Sequence, residues 1–133
     1  MIYLSLEEVI AIHDTLVKNF GGIFGIRDKS LLESAIATPM TAVFGQEMYP
    51  TAFDKAAAYI FSISRNHPFL DGNKRTATFS CFTFLEANGQ TLTYNENEVL
   101  EFVVSVAEGK IEKEQISLYL KNLCLSKVET SES

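Results

Sequence analysis

The sequence has only two cysteines, no apolar run long enough to cross a bilayer, and no charged-then-apolar segment typical of a signal peptide. Cys81 and Cys124 lack the spacing of a metal site, and cytosolic disulfides are rare, so we expect free thiols in a reducing compartment. Together these absences predict a cytoplasmic protein that has no contact with a membrane.

Positive charge is scarce as well: 11 Lys and Arg residues face 17 Asp and Glu residues, and the formal net charge is -6. Because non-specific nucleic-acid binding depends on cations that neutralise phosphates, we expect no direct contact with nucleic acid. The neighbouring Lys74 and Arg75 form a local basic spot on this acidic chain. Such a spot favours a small anionic ligand over a polynucleotide.

Apolar residues are plentiful, at 47% of the chain, with ten Phe and five Tyr. A length of 133 residues suits one compact domain with a real core. We expect that domain to cover residues 1–125, and a disordered polar tail to follow at residues 126–133.

Local signals divide the chain into about six helices joined by short loops, so the predicted fold class is all-α. Ser5 and Glu8 form a capping box before the first helix, Asp28 can cap the second, and Asn95 opens the fifth. Residues 40–50 show no clear period and are interpreted as an exposed loop with room for a short extended piece.

The third and fourth helices, predicted near residues 51–66 and 72–88, are apolar on nearly every side. A helix of that kind lies in the middle of a domain. The loop between them, however, belongs to a strongly polar run: residues 67–75 are His-Pro-Phe-Leu-Asp-Gly-Asn-Lys-Arg. Such a conflict between a buried frame and a polar loop is expected at a functional site.

This polar run holds groups that suit phosphate chemistry. The first turn of a helix binds anions, and Gly72 would let a phosphate approach the backbone there. Arg75 can grip two oxygens, while Asp71 would need a divalent metal such as Mg²⁺ between itself and a phosphate. His67 could accept a proton from a hydroxyl. Phosphoryl and nucleotidyl transfer use these groups.

Each of these residues also has a structural explanation. His67 could simply end a helix, Asp71 could be an N-cap, and the two cations could lie on a solvated face. Phe69 is interpreted as a hydrophobic anchor that seats the loop. His13 lies on an apolar helical stripe and is interpreted as a hydrogen-bonded core histidine.

Residues 67–75 resemble the signature of the Fic/Doc family, His-x-Phe-x-Asp/Glu-Gly-Asn-Gly-Arg-x-x-Arg. Lys74 replaces the second Gly, as in the Doc (death on curing) branch, and Thr78 stands where the final Arg would fall. Further matching motifs lie upstream, between Gly21 and Ala35, and downstream, from Phe84 to Gly89. The similarity covers nearly the whole chain, from residue 4 to about residue 121.

The resemblance implies a single-domain Fic fold in which two central buried helices flank the motif. It implies that His67 is the catalytic base and that Asp71 holds Mg²⁺. ATP would be the co-substrate, and its phosphates would be bound by Gly72, Asn73, Lys74 and Arg75.

Members of this family differ in the group that they transfer. Fic enzymes usually transfer AMP from ATP to a protein hydroxyl, whereas the Doc branch transfers the γ-phosphate. Lys74 adds bulk and charge where AMP-transferring members keep Gly, and Thr78 removes a cation that would grip the outer phosphates. The resemblance therefore favours a kinase-like toxin that acts on a threonine of elongation factor Tu and so blocks translation. The alternatives are an AMP transferase and an inactive Fic-fold binding module.

Inhibition is expected to come from another chain. Self-inhibited family members carry Ser/Thr-x-x-x-Glu-Gly/Asn, but here Leu92 precedes Glu96 and Val104 precedes Glu108 at the required distance. The resemblance implies a Phd-like antitoxin as partner, whose C-terminal segment covers the site.

Overall fold

A computed structural model describes residues 1–124 in full and follows the backbone of the last helix to residue 132. Six α-helices run through this part of the chain, so the predicted all-α class is confirmed. The tail expected at residues 126–133 lies outside the fully described residues, and its disorder stays a prediction. The elements are α1 (Leu6–Phe20), α2 (Lys29–Ala37), a 3₁₀ turn (Thr38–Met40), β1 (Ala42–Val43), β2 (Gln46–Glu47), α3 (Ala52–Asn66), α4 (Asn73–Ala87), α5 (Glu96–Ala107) and α6 (Lys113–Glu132).

α1, α2 and α5 begin at the caps that the sequence predicted. Ser5 Oγ accepts a hydrogen bond from the Glu8 N–H at 3.1 Å, and the Glu8 carboxylate accepts one from the Ser5 N–H at 2.9 Å. Asp28 caps α2 through the Leu31 N–H at 3.0 Å. These bonds satisfy N–H groups that have no partner within the helix. Because each cap and its partner are only three residues apart, short sequence patterns predict where these helices begin.

The central position predicted for the third and fourth helices is confirmed. α3 packs against α2, α4, α5 and α6, and α4 also packs against α1 and α5. Their inward side chains are at most 2% exposed; they include Ala56, Ala57, Tyr59, Ile60 and Ile63 from α3, and Ala77, Cys81, Phe82, Phe84 and Leu85 from α4. The polar run at residues 67–75 therefore begins where one central helix ends and continues into the other.

Burial also governs three titratable groups of the core. Tyr59 accepts a hydrogen bond from the Leu4 N–H at 3.1 Å, and burial raises the pKa of its hydroxyl to about 12. Cys81 and Cys124 are buried free thiols, as expected, and burial raises the pKa of both. None of the helices in the described part of the chain has the length and hydropathy to cross a membrane.

Residues 40–50 form an exposed segment that contains a short hairpin, in agreement with the loop and extended piece expected there. Ala42 pairs with Glu47, and Val43 pairs with Gln46, in antiparallel register. The hairpin is fastened to the core by Lys55, which is 1% exposed. Its ammonium donates hydrogen bonds to Glu47 Oε1 at 2.8 Å and to the Tyr49 carbonyl at 2.6 Å.

The net pKa of Lys55 is raised above its ordinary value of 10.5. Burial alone would lower this pKa, but interactions with Glu47 and Tyr3 outweigh it. Because the folded-state pKa is the higher one, the charged interaction stabilises the fold fully below the unfolded-state pKa. That stabilisation is lost as the pH rises through the folded-state pKa.

We predict that removing Glu47 destabilises the fold more than removing Lys55. In Glu47→Ala the buried ammonium loses its carboxylate, whereas in Lys55→Met the half-exposed carboxylate of Glu47 is hydrated by water. The expected losses in free energy of unfolding at pH 7 are about 3 kcal/mol and about 1 kcal/mol, measured by urea denaturation. The difference should shrink as the pH rises through the raised pKa of Lys55; equal losses at pH 7 would contradict the argument.

Candidate active site

The motif loop, residues 67–72, joins the end of α3 to the start of α4. His67 is the C-cap of α3 and has the left-handed angles φ 48° and ψ 55°, which are uncommon for a residue other than glycine. Its ring is exposed and makes no hydrogen bond to the described residues. His67 therefore ends a helix and presents a free imidazole at once, so the two explanations offered by the sequence are compatible.

The segment Gly25–Asp28 acts as a strand partner for the motif loop. Ile26 and Phe69 form an antiparallel bridge, and the Leu70 N–H donates to the Gly25 carbonyl at 3.1 Å. The Pro68 carbonyl accepts from the N–H groups of residues 27 and 28, at 2.8 and 3.0 Å. The loop is thus held by backbone pairing with a segment about 40 residues earlier in the chain.

The buried side chain of Phe69 anchors the motif loop to the hydrophobic core. It is 1% exposed and stacks on the ring of His13, with ring centroids 3.9 Å apart and planes 6° from parallel. His13 Nε2 lies 2.7 Å from the Asp71 carbonyl oxygen, which can only accept, so this nitrogen carries the proton. The interpretation of His13 as a hydrogen-bonded core histidine is confirmed.

Asn73 closes the motif loop with both ends of its side-chain amide. Oδ1 accepts from the Phe69 N–H at 2.9 Å, and Nδ2 donates to the Phe69 carbonyl at 3.0 Å. The side chain is therefore occupied by the backbone of the loop, and Asn73 reaches a phosphate most directly through its own backbone N–H. Sequence reasoning assigned Asn73 to phosphate binding and missed this structural role.

No side chain among the described residues caps the start of α4. Gly72 is the N-cap, in the left-handed conformation with φ 76°. Among the described residues, the Asp71 carboxylate accepts hydrogen bonds only from the Gly72 N–H at 2.9 Å and from the Ile23 N–H at 3.3 Å. The alternative of Asp71 as the N-cap is therefore wrong. The N–H groups of the first turn have no intrahelical partner, and the helix dipole adds positive potential there. Such a terminus can bind an anion.

A cavity of about 270 Å³ lies beside this first turn. The guanidinium of Arg75 lies 4.7 Å from the centroid of the Phe20 ring, and its Nε is buried without a partner among the described residues. His67 and Lys74 do not line this cavity. The lining consists of Leu16, Val17, Phe20, Gly21, Gly22, Asp71, Gly72 and Arg75.

The site fits a divalent metal only together with a ligand that brings further oxygens. Asp71 is the one carboxylate that lines the cavity in the part of the chain that the structure describes. The described residues contain no group of three or more His, Cys, Asp or Glu side chains placed to hold a metal. Because Mg²⁺ is commonly held by one or two carboxylates with phosphate oxygens, Asp71 suits a metal that is bound with a nucleotide.

Comparison with known proteins covers the whole of this site. A model of the Fic/DOC family matches residues 3–85. The chain is 44% identical over 90 residues to the "Toxin Doc" of Mycolicibacterium smegmatis (strain ATCC 700084 / mc(2)155). The aligned residues cover 68% of this chain and 67% of that protein. The chain is also 32% identical over 123 residues to the "Protein kinase doc" of Escherichia phage P1, and this alignment covers 92% of this chain and 96% of that protein.

We predict that Asn73→Ala lowers the free energy of unfolding by about 2 kcal/mol without any nucleotide, because two hydrogen bonds to Phe69 are lost. Asn19→Ala, at an exposed position on α1, is the control and should change stability by less than about 0.5 kcal/mol. Urea denaturation measures both. If Asn73→Ala is as stable as the unmutated chain, the amide does not hold the loop.

A second prediction concerns Gly22, where an added Cβ would lie 2.8 Å from Asp71 Oδ2. Gly21 also has a positive φ, but a Cβ there would meet no atom within 4 Å. Gly21→Ala should therefore lower the free energy of unfolding by about 1–3 kcal/mol, through backbone strain alone. Gly22→Ala should lower it further, because the added Cβ also displaces the Asp71 carboxylate.

Amide hydrogen exchange tests the displacement, because the Ile23 N–H donates to that carboxylate. Faster exchange of Ile23 in Gly22→Ala than in Gly21→Ala is the expected result. Equal exchange in the two variants would show that the carboxylate is not held against Gly22.

Proposed function

The chain belongs to the Fic/DOC family, and we propose that it is a Doc-type toxin that transfers the γ-phosphate of ATP to a protein hydroxyl. The names of its relatives, a toxin and a protein kinase, support this proposal. The structural observation that carries it is that one short loop has an exposed imidazole at its first residue and leads into a helix N-terminus without a side-chain cap. His67 ends α3, and α4 begins six residues later with no side chain of the described residues bound to its first N–H groups.

In the proposed reaction His67 accepts the proton of the attacking hydroxyl. The hydroxyl oxygen forms a bond to the γ-phosphorus, the bond from that phosphorus to the β–γ bridging oxygen breaks, and ADP leaves with the electron pair. The N–H groups at the start of α4 and the guanidinium of Arg75 stabilise charge on the phosphates. Mg²⁺ held by Asp71 and the phosphates would supply further charge neutralisation.

Lys74 and Thr78 favour transfer of the γ-phosphate over transfer of AMP. Lys74 is half-buried in the first turn of α4, where it brings a cation to the helix N-terminus. Thr78 is 2% exposed, and its hydroxyl donates to the Lys74 carbonyl at 2.8 Å, so it offers no cation to an outer phosphate. AMP transfer at the same site is the second candidate, because the base is the same in both reactions.

The surroundings of the motif loop suit protein partners. Four large apolar side chains near it are more than half exposed: Phe20, Ile23, Phe24 and Leu70. Exposed apolar groups that lie close together mark interaction sites. We propose that the target is a threonine of elongation factor Tu, so that translation is blocked, and that a Phd-like antitoxin covers the site.

ATP labelled on either the α- or the γ-phosphate, incubated with the protein in a translation extract, tests the proposal. We expect protein labelling from the γ-position alone, and a loss of at least about 100-fold in His67→Asn. Asn is chosen because it tolerates the left-handed backbone of this residue.

Label from the α-position would identify an AMP transferase instead. No labelling from either position, with His67→Asn behaving as the unmutated chain does, would support the inactive binding module.

A further inference from the structure

The last carbonyls of α3 are bound by a side chain from a distant part of the chain. Helix C-termini leave carbonyl groups without intrahelical partners. Here Arg27 Nε donates to the His67 carbonyl at 2.6 Å, and a terminal nitrogen of the same guanidinium donates to the Asn66 carbonyl at 2.8 Å. The cation also lies at the negative end of the helix dipole, where positive charge is favourable.

These two hydrogen bonds hold the carbonyls of His67 and of the residue before it, where the backbone turns into a left-handed conformation. His67 has a left-handed conformation that non-glycine residues adopt only when their surroundings enforce it. Its own carbonyl is held by the Arg27 side chain, and the next carbonyl, of Pro68, is held by the Arg27 backbone N–H at 2.8 Å. One residue therefore fixes the peptide groups on both sides of Pro68.

The direction of a side chain follows from its backbone conformation, since φ and ψ decide which rotamers are allowed. Because the His67 ring makes no hydrogen bond to the described residues, no hydrogen-bond partner there fixes the ring, and its direction depends on the backbone conformation. The planar guanidinium donates two N–H groups in a fixed relation, which a lysine ammonium does not reproduce. The Arg27 guanidinium thus binds two backbone carbonyls and is not assigned to phosphate binding.

We propose that Arg27 is a positioning residue for His67: it sets the left-handed end of α3 and thereby aims the imidazole at the reacting hydroxyl. The catalytic consequence rests on the proposed phosphate transfer, whereas the effect on the His67 ring does not. Arg27 acts through His67 and does not touch the substrate.

The kinetic test compares Arg27→Gln with Arg65→Gln. Arg65 carries the same charge in the last turn of α3, but its guanidinium lies over the Phe61 ring at 5.3 Å and makes no bond to the Asn66 or His67 carbonyl. Arg27→Gln should lower kcat about 30-fold and leave the KM for ATP within about 3-fold, because misplacing a base weakens the chemical step. Arg27→Lys should recover part of kcat, and Arg65→Gln should keep both constants.

A second readout is independent of activity. The chain contains two histidines, so NMR spectra of the imidazole Cε1–H groups report the buried His13 and the exposed His67 separately. Arg27→Gln should shift the His67 signal and increase its side-chain motion, while the His13 signal stays in place. Arg65→Gln should leave both signals unchanged.

The proposal is overturned if the His67 signal of Arg27→Gln is unchanged, or if the variant raises KM and keeps kcat. If the His13 signal of Arg27→Gln also shifts, the fold of that variant is disturbed, and Arg27→Lys becomes the deciding variant. A shifted His67 signal together with an unchanged His13 signal in Arg27→Lys supports the positioning role. Two unchanged signals in Arg27→Lys overturn it. If no variant and not even the unmutated chain transfers phosphate, the proposed function fails, but the NMR comparison still tests Arg27.

Discussion

The motif loop lies between two buried helices, and its backbone polar groups must therefore be bound by the protein wherever water cannot reach them. The antiparallel pairing of Gly25–Asp28 with this loop meets that requirement. With the pairing in place, Phe69 can lie in the core against His13, and Asn73 can reach back to the Phe69 backbone. The polar side chains of the motif therefore stand on a loop whose backbone is hydrogen-bonded at Pro68, Phe69 and Leu70.

The polar residues of the motif consequently divide into two groups. Asn73 and Gly72 build the loop, the first through its amide and the second through a left-handed N-cap. The imidazole of His67 makes no hydrogen bond to the described residues, and Arg75 has a buried Nε without a partner there. A signature of this kind thus contains residues that build the loop and residues whose polar groups have no partner among the described residues, and residue type alone does not separate them.

This division explains what the sequence could and could not predict. The caps at Ser5 and Asp28 involve residues three apart, so the helix starts could be predicted from short patterns. The Arg27 contact joins residues 40 apart, and no local pattern predicts it. Lys55 is buried in an apolar helix because its carboxylate partner, Glu47, comes from the hairpin. The role of Asn73 was missed although Phe69 is only four residues away, because it depends on the left-handed turn at Gly72.

Electrostatics limits what the cavity beside α4 can hold. Its helix N-terminus and Arg75 attract anions, whereas Asp71 repels them, although two N–H groups partly balance its charge. A phosphate near Asp71 is favourable only when a cation lies between the two, and no second carboxylate of the described residues lines the cavity to help hold that cation. The geometry therefore favours joint binding of metal and nucleotide over separate sites for each. That coupling follows from having a single carboxylate, among the described residues, beside a helix N-terminus without a side-chain cap.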